Sequence, residues 1–307
     1  MEYPASPFVS VIVPVFNDAD GLKLCLAALS EQSYAQSRFE VIIVDNGSDD
    51  PEQIKTIAAA YDWVTVATET SPGSYAARNR GLDLARGDVM AFTDADCIPA
   101  PDWLENGVYI LKETPNCGLV AGQIRLFFRN PSCPTMVELY ESVRALPQQE
   151  FVEDHHYGAT ANVFTTRHVI DTVGKFDARL KSSGDAEWGK RVHAQGFRQV
   201  YAEKVIVQHP TRSSFRELYV RTRRLAGGHY DLQLYRATTP WQRQCIFWRS
   251  LTQNLTPPVF FAINTFLDTR LNSVGQKLKV SSVMLLVRYI SAWEILRLKF
   301  GGVSNRA

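Results

Sequence analysis

The first third of the chain alternates between short apolar runs and segments with helical periodicity. The apolar runs are nearly continuous, as expected for strands buried on both faces of a sheet, and they lie at residues 8–16, 39–44, 64–67 and 89–93. The segments with helical periodicity lie between and after them, at residues 20–31, 51–60 and 74–85. Strands and helices in alternation predict an α/β fold with a mostly parallel, doubly wound sheet.

The second of these helices has a clear start signal. Asp50 is a good N-cap residue, Pro51 suits the first helical position, and Gln53 can reach back to complete a capping box. We therefore expect a helix to begin at residue 51.

The alternation loosens after residue 115. Strands are predicted at 120–128, 161–165 and 199–208, and helices at 135–145, 167–173, 185–195 and 213–235. From Trp241 the chain is rich in apolar and aromatic residues. Its last apolar run, 280–299, is interrupted by three charged residues and is too polar to span a bilayer. It could lie on a membrane or pack on the domain or on a second subunit.

Charge is unevenly distributed along the 307 residues, although the formal net charge is only +1. Residues 204–249 contain nine Lys and Arg against two Asp and Glu, a net charge of +7, which leaves −6 for the remainder. Such a basic stretch favours an anionic partner: phosphate, an acidic glycan, nucleic acid or a membrane surface.

Cysteine usage and the first residues indicate the compartment. The five cysteines are scattered and form no C-x-x-C pair, which favours a reducing compartment and argues against a zinc site. The N-terminal residues lack a basic segment and contain several prolines, so we expect no signal peptide. Because no window of 18 residues is free of charges and helix breakers, we also expect no membrane span.

Polar residues follow three of the predicted strands at their carboxyl ends. They are Asn17-Asp18, Asp45-Asn46-Gly47 and Asp94-Ala95-Asp96. Ligands of open parallel sheets bind beyond these strand ends. Alternate residues of an extended chain point to the same side, so the carboxylates of Asp94 and Asp96 are predicted to converge. Two hard oxygen ligands suit Mg²⁺ or Mn²⁺ with open positions for phosphates.

The same D-x-D spelling occurs at Asp18 and Asp20, where another explanation is stronger. Those residues are typical of the acidic first turn of a helix. Asp, Asn and Gly also form turns without any further role. The buried strand that precedes Asp94 distinguishes the second pair from the first.

Four blocks of the sequence together resemble one family. They are Ser10–Asn17 (SVIVPVFN), Val44–Asp50 (VDNGSDD), Ala77–Asp88 (beginning ARNRG and ending ARGD) and Phe92–Asp96 (FTDAD). Their order and spacing are similar to those of family 2 glycosyltransferases, over about residues 8–210. The resemblance implies a GT-A (Rossmann-like) nucleotide-diphospho-sugar transferase fold, with a mostly parallel central sheet flanked by helices.

The resemblance also implies a division of the chain. The GT-A domain would comprise residues 1–212, with a nucleotide-binding half at about 1–97 and an acceptor half at about 98–212. Residues 213–307 would form a basic and apolar helical C-terminal extension.

The implied reaction is the inverting transfer of a sugar from a nucleotide-diphosphate donor to a hydroxyl acceptor. Carried over from the family, Pro14, Val15 and Phe16 would lie against the nucleoside. Asp45 would accept a hydrogen bond from uracil, which favours a UDP-sugar, although a thymidine donor presents the same ring edge.

The resemblance also assigns the diphosphate and metal residues. Arg78 would contact the base or diphosphate. Asp94, Ala95 and Asp96 correspond to the family's D-x-D motif, in which the last acid binds Mn²⁺ or Mg²⁺ and the first contacts ribose or metal-bound water. His209 resembles a late histidine that completes the metal site in some members, and a structural role is the alternative.

An inverting transferase needs a base opposite the leaving group. The matching segment starts at Ser183-Gly184-Asp185, with glycine where the family often has a first acid. Asp185 is the predicted base and Glu187 its rival. Alternatively Asp185 caps the helix while Glu187 pairs with Arg191.

Two further features have open interpretations. Trp188 is predicted to stack on a sugar ring, with a core position as the alternative. The stretch 155–162 lies where the family has a loop facing donor sugar and acceptor. Backbone amides of residues 158–160 could contact the sugar there. His155 and His156 are interpreted as polar residues of a loop rather than as metal ligands.

The expected partners follow from these assignments. They are a nucleotide sugar, a glycan or lipid-linked acceptor, and an anionic membrane surface contacted by the basic helix with Arg212, Arg216, Arg221, Arg223 and Arg224. We expect no nucleic acid, because no recognised module accompanies the charge, and a homodimer is left open. The predicted location is cytoplasmic, peripheral on the inner face of the membrane.

A nucleotidyltransferase and a non-catalytic scaffold at a membrane assembly are the alternative functions.

Overall fold

The computed structural model describes residues 6–144 and 146–304. Its first half contains β1 (Val9–Val15), α1 (Ala19–Ser30), β2 (Phe39–Asp45), α2 (Pro51–Ala58), β3 (Val64–Thr68), α3 (Ser74–Leu84) and β4 (Val89–Thr93). Next come β5 (Ile98–Pro99), α4 (Trp103–Glu113), β6 (Cys117–Phe127), α5 (Met136–Arg144), α6 (Gln148–His155), β7 (Asn162–Thr166), α7 (Arg167–Val173), α8 (Gly184–Ala194) and β8 (Arg198–Pro210). The last helices are α9 (Phe215–Arg236), α10 (Pro240–Leu255), α11 (Val259–Leu267) and α12 (Val274–Lys299).

One eight-stranded sheet organises the first two thirds of the chain, in the order β3-β2-β1-β4-β7-β6-β8-β5. The strands β3, β2, β1 and β4 are parallel neighbours. Strand β7 is antiparallel to both β4 and β6, and β5 is antiparallel to β8. The predicted α/β fold, with a mostly parallel sheet in its first half flanked by helices, is confirmed.

Burial explains why these runs form strands. Every residue of β2 and β4 is buried, which matches their nearly continuous apolar sequences. The predicted helix starts are also present. The carboxylate of Asp50 accepts a hydrogen bond from the backbone N–H of Gln53 at the start of α2, and that of Asp18 accepts one from Gly21 at the start of α1. Asp18 is therefore the N-cap of α1, directly before the helix whose acidic first turn the sequence predicted.

Among the described elements up to β8, three were not predicted from the sequence: β5, α4 and α6. Strand β5 is only two residues long, too short to produce a hydrophobic period. Helix α4 packs so closely against the sheet that a Cβ on Gly107 would lie 2.4 Å from the ring of Phe164. A glycine chosen for such a close approach weakens the helical signal of its segment.

The chain forms two compact units. The first runs over Met1–Arg125, Leu146–Arg179 and Gly184–His209, and contains most of the sheet. The second runs over Leu126–Ala145, Leu180–Ser183 and Pro210–Ala307. It takes in α5 as well as the C-terminal helices, whereas the sequence placed the start of the extension at residue 213.

Two apolar clusters stabilise the second unit. One joins α5, α9 and α12 through Val137, Leu218 and Val283. The other joins α9, α10 and α12 through residues that include Tyr230 and Phe247. Within the described residues, no helix is both long and apolar enough to cross a bilayer.

Buried ion pairs involve Arg221 and Arg223 of α9, together with Arg212 just before this helix. The side chain of Glu141 is 1% exposed and lies 3.2 Å from Arg212 and 3.5 Å from Arg221. The fully buried carboxylate of Glu294 is 2.7 Å from Arg223 and 2.5 Å from Arg297. Arginines that neutralise buried glutamates contribute less charge to a surface than the sequence suggests.

Candidate active site

The carboxyl ends of β1, β2 and β4 lie at one edge of the sheet, because these strands are parallel neighbours. Asp45 is the last residue of β2, and Asp94 directly follows β4. The chain order reverses at β1, which has β2 on one side and β4 on the other. This is the switch point at which open α/β sheets form their ligand crevice.

Arg78 supplies a fixed positive charge at this edge. It lies on α3, is 3% exposed, and its Nη2 donates a hydrogen bond of 2.5 Å to Oδ1 of Asp94. The buried Nε of Arg78 has no hydrogen-bond partner among the residues that the structure describes. A buried donor without a partner costs free energy, so this guanidinium has hydrogen-bonding capacity left for an anionic ligand.

Asp96 and His209 form the second polar group of the edge. Nε2 of His209, at the end of β8, is 3.6 Å from Oδ2 of Asp96. One ligand atom each from Asp96, Cys97 and His209 lies within 4.8 Å of the others. The sequence analysis predicted Asp96 and His209 as metal ligands, and the structure brings them together.

The thiol of Cys97 is poorly suited to join a metal site. It is fully buried, and its Sγ donates a 3.8 Å hydrogen bond to the carbonyl oxygen of Ala161. Burial, followed by the negative charges of Asp94 and Asp96, raises the pKa of Cys97 well above its usual value. The remaining donors, carboxylate oxygens and an imidazole, are ligands that suit a hard divalent cation.

The side of the crevice where the sequence predicted nucleoside contacts is built from the ends of β1 and β2. Pro14 is half-buried, Val15 is buried, and the ring of Phe16 is 47% exposed. Asp45 is buried, and its Oδ1 accepts a hydrogen bond from the backbone N–H of Ser48. These side chains offer an exposed aromatic face next to a carboxylate.

Asn46 connects this side to the helix that carries Arg78. Its Nδ2 donates to the carbonyl oxygens of Glu69 and Ser71, and its Oδ1 accepts the N–H of Gly73. Gly73 precedes the first residue of α3 and has φ of +127°, in the region that favours glycine. The residue after β2 thus fixes the start of α3.

Asp185 lies in the first turn of α8. The sequence could not specify how far this turn lies from the sheet. Its Oδ1 accepts hydrogen bonds from the N–H of Ala186, at 2.9 Å, and from the hydroxyl of Tyr75, at 3.3 Å. Removal from water raises the pKa of Asp185 above its usual value, against the opposing effects of these two donors and of Arg78. A carboxylate with a raised pKa is a better proton acceptor than an ordinary surface aspartate.

Tyr75 is a site residue that the sequence analysis did not identify. Its ring lies 5.7 Å from the guanidinium carbon of Arg78 and stacks on Phe176 at 5.9 Å. Burial raises the pKa of Tyr75, so its hydroxyl remains a donor to Asp185. The available signal was the i, i+3 spacing of Tyr75 and Arg78, which places both on one face of a helix.

Other predicted residues have structural roles in this unit. Glu187 makes a bidentate ion pair with Arg191 at 2.9 and 3.0 Å, as the alternative interpretation proposed. Trp188 is 1% exposed and donates to the carbonyl of Gly174. The prediction that Trp188 stacks on a sugar was wrong, because its ring belongs to the core.

The loop at residues 155–162 is largely occupied by internal contacts. His156 stacks on His193 with ring centroids 3.8 Å apart. The backbone N–H of Ala159 donates to the side chain of Gln148. That amide is therefore already paired.

Comparison with known proteins identifies the chain. The model of glycosyl transferase family 2 matches residues 10–176, a range that includes Arg78, Asp94 and Asp96 and ends before Asp185 and His209. The chain is a family 2 glycosyltransferase.

Relatives of this family 2 glycosyltransferase agree with that assignment. It is 38% identical to glycosyltransferase AglE of Haloferax volcanii, over 74% of each chain. It is 29% identical to the pre-mycofactocin glycosyltransferase of Mycobacterium tuberculosis, over 71% of this chain and 46% of the relative.

Among solved structures, the family 2 glycosyltransferase is similar to mannosyltransferase PcManGT of Pyrobaculum calidifontis, whose structure is a complex with GDP-Man and Mn²⁺. The TM-score is 0.62 at 21% identity, and the match covers 96% of this chain and 88% of the other. This likeness supports the GT-A fold.

Proposed function

We propose that this glycosyltransferase moves a sugar, with inversion, from a nucleotide-diphosphate donor to a hydroxyl of a glycan or lipid-linked acceptor. The observation that carries the proposal is the pairing of Arg78 with Asp94 directly after β4, together with the pairing of Asp96 with His209. The diphosphate needs a fixed cation, and its counter-ion needs carboxylate ligands.

The proposed donor is a UDP-sugar. Asp45 is an acceptor at the end of β2, and the N3–H of uracil is a matching donor. A dTDP-sugar presents the same edge. Guanine is the second candidate, since the similar mannosyltransferase was solved with GDP-Man.

Asp94, Asp96 and His209 would hold Mn²⁺ or Mg²⁺. When bound, the ion would supply positive charge to the leaving diphosphate. Arg78 adds a second positive charge whose position is already fixed by α3 and Asp94. Donors that are fixed before the reaction stabilise developing charge without reorganisation.

Asp185 is the proposed general base, and Tyr75 is proposed to hold it in position. The carboxylate would take the proton of the acceptor hydroxyl, and the Tyr75 hydroxyl fixes its Oδ1. The two alternative functions are not favoured. The chain belongs to a family of transferases, and the turn at residues 16–20 lacks the Gly-rich phosphate loop of a nucleotidyltransferase.

The test is donor binding by calorimetry across UDP-, dTDP- and GDP-sugars, with and without Mn²⁺ or Mg²⁺. We expect metal-dependent binding of a uridine donor that is lost in Asp96→Ala. Asp20→Ala is the matched control, because Asp20 belongs to the other D-x-D sequence and is exposed on α1. Equal loss in both variants, or no donor bound by the folded chain, would contradict the proposal.

Asp185→Asn separates binding from transfer. It should bind the donor as the wild type does, while the rate of donor turnover falls by about 10²–10⁴-fold. Unchanged turnover would remove Asp185 from the mechanism.

A further inference from the structure

Helix α11 exposes an unusually apolar surface. Its nine residues contain no charge. Five of its large apolar side chains are 41–84% exposed: Val259, Phe260, Ile263, Phe266 and Leu267. Their spacing of three, four, seven and eight residues places them on one side of the helix. We refer to these five side chains as the α11 face.

The opposite side of α11 supplies the contacts that hold it to the second unit. Phe261 packs against the cluster of α5, α9 and α12, 6.3 Å from the ring of Tyr140. Thr265 is buried. The helix therefore has its own core contacts on one side, and the α11 face is the side that stays exposed.

The neighbouring helices also expose aromatic residues at regular intervals. On α10, Trp241, Trp248 and Leu255 are 76%, 59% and 50% exposed and recur every seven residues. On α12, Tyr289 and Trp293 are 50% and 59% exposed and lie one turn apart. Exposed tryptophan and tyrosine are enriched where proteins meet the interface of a bilayer.

Charge in this region is positive. Residues 237–304 contain eight Lys and Arg but only two acids, Asp268 and Glu294. Asp268 is paired with Arg270, and Glu294 with Arg223 and Arg297. The acids are thus neutralised, while the rest of the region carries lysines and arginines.

These observations favour a lipid surface over a second copy of the chain as the partner of the α11 face. A two-fold dimer would place the same surface on both partners, so the positive residues around it would face each other. An anionic bilayer offers the opposite charge together with an apolar interior. Helix α11 has nine residues, too few to cross a bilayer but sufficient to lie in its interface.

We propose that the α11 face inserts into the interface of an anionic lipid bilayer and docks the enzyme there. This goes beyond the donor and acceptor chemistry, and it changes the expected contact. The sequence predicted that Arg212, Arg216, Arg221, Arg223 and Arg224 would face the membrane. Three of these five, Arg212, Arg221 and Arg223, are paired with buried glutamates. The apolar face of α11 provides the anchor. Lys277, whose Nζ donates to the carbonyl oxygen of Phe266 on α11, provides positive charge beside it.

Vesicle flotation of the full chain tests the proposal. Wild-type protein is mixed with phosphatidylcholine vesicles containing either no phosphatidylglycerol or about a third of it, a composition chosen to give a negative surface. We expect flotation with the anionic vesicles and much less with the neutral ones. The double variant Phe260→Ser/Ile263→Ser should weaken anionic vesicle binding at least tenfold, roughly the effect of removing two buried apolar side chains.

The matched control is Leu24→Ser, because Leu24 is 57% exposed on α1 in the first unit. It should float as the wild type does. Donor binding should be unchanged in the double variant. A loss of vesicle binding can therefore be told apart from a defect of the donor site. Absence of flotation by the wild type, equal loss in the Leu24 variant, or a dimer that dissociates in the double variant without vesicle binding would overturn the proposal.

Discussion

The guanidinium of Arg78 shows how single residues prepare the site for its ligand. It lies between the ring of Tyr75 and the carboxylate of Asp94. Each contact restricts the side chain, so the charge would not need to be ordered on binding of the proposed diphosphate. Preorganised charge of this kind acts more strongly than a mobile surface arginine.

Tyr75→Phe should move the acid limb of the pH–rate profile to higher pH. The hydroxyl of Tyr75 donates to Asp185 and so favours its charged form. Without that donor the pKa of Asp185 rises further above its usual value, and the base is protonated at a higher pH. The measurement is the pH dependence of donor turnover.

Tyr109→Phe is the control for this experiment, because the Tyr109 side chain is 59% exposed on α4. Its profile should match that of the wild type. An acid limb that stays in place, or moves to lower pH, in Tyr75→Phe would show that the tyrosine does not act through Asp185.

The site could be predicted from sequence only where local pattern determines it. Asp45, Asp94 and Asp96 follow buried strands, and parallel strands bring their ends together. The contact between Tyr75 and Asp185 joins residues 110 positions apart, and no local pattern encodes such a contact. Trp188 was misassigned because an aromatic residue of a helix has the same sequence signal in a core as on a binding surface.

At the scale of elements, the sequence predicted strands and helix starts better than strand direction. Buried apolar runs identify β1, β2 and β4, and capping residues identify the start of α2. The antiparallel direction of β7 depends on its partners, β4 and β6, and an apolar run is the same in either direction.

Glu294→Gln should destabilise the second unit by about 3 kcal/mol, as expected when one partner of a buried ion pair is removed. Burial opposes the charge of Glu294, but Arg297 and Arg223 outweigh it and lower the pKa of this carboxyl. The measurement is the midpoint of urea unfolding at neutral pH. Asp177→Asn is the control: its partner Arg179 is largely exposed, and it should cost less than about 1 kcal/mol.

The same ion pairs predict a pH dependence of stability. Because the folded-state pKa of Glu294 is lowered, its contribution is fully present above the unfolded-state value of about 4.3 and is lost as the pH falls through the folded-state value. The difference between wild type and Glu294→Gln should therefore shrink in acid. A difference that is constant from neutral pH to about pH 3 would exclude this linkage.

The whole molecule combines two units with different surfaces. The residues of the proposed donor site belong to the first unit, and the α11 face belongs to the second. The resemblance implied a division between residues 212 and 213, which places α5 with the first unit. That helix joins the second unit through side-chain packing with α9 and α12, which its own sequence does not reveal. The cytoplasmic, membrane-peripheral location stays a prediction.

Hydrogen exchange should resolve the two surfaces in one protein. UDP with Mn²⁺ should slow amide exchange at residues 14–18, 45–49, 94–98 and 183–187, and leave α11 unchanged. Anionic vesicles should slow exchange in α11 and leave the strand ends unchanged. Peptide-level mass spectrometry makes the comparison, and protection of α11 by nucleotide alone would argue against separate sites.

The close approach of α8 to α3 restricts which sequences this site can tolerate. A Cβ on Gly184 would lie 2.7 Å from the ring of Tyr75, so the tyrosine occupies the space that any side chain at 184 would need. Family members with an acid at the position of Gly184 should therefore carry a smaller residue in place of Tyr75. The two positions should therefore covary among members of the family.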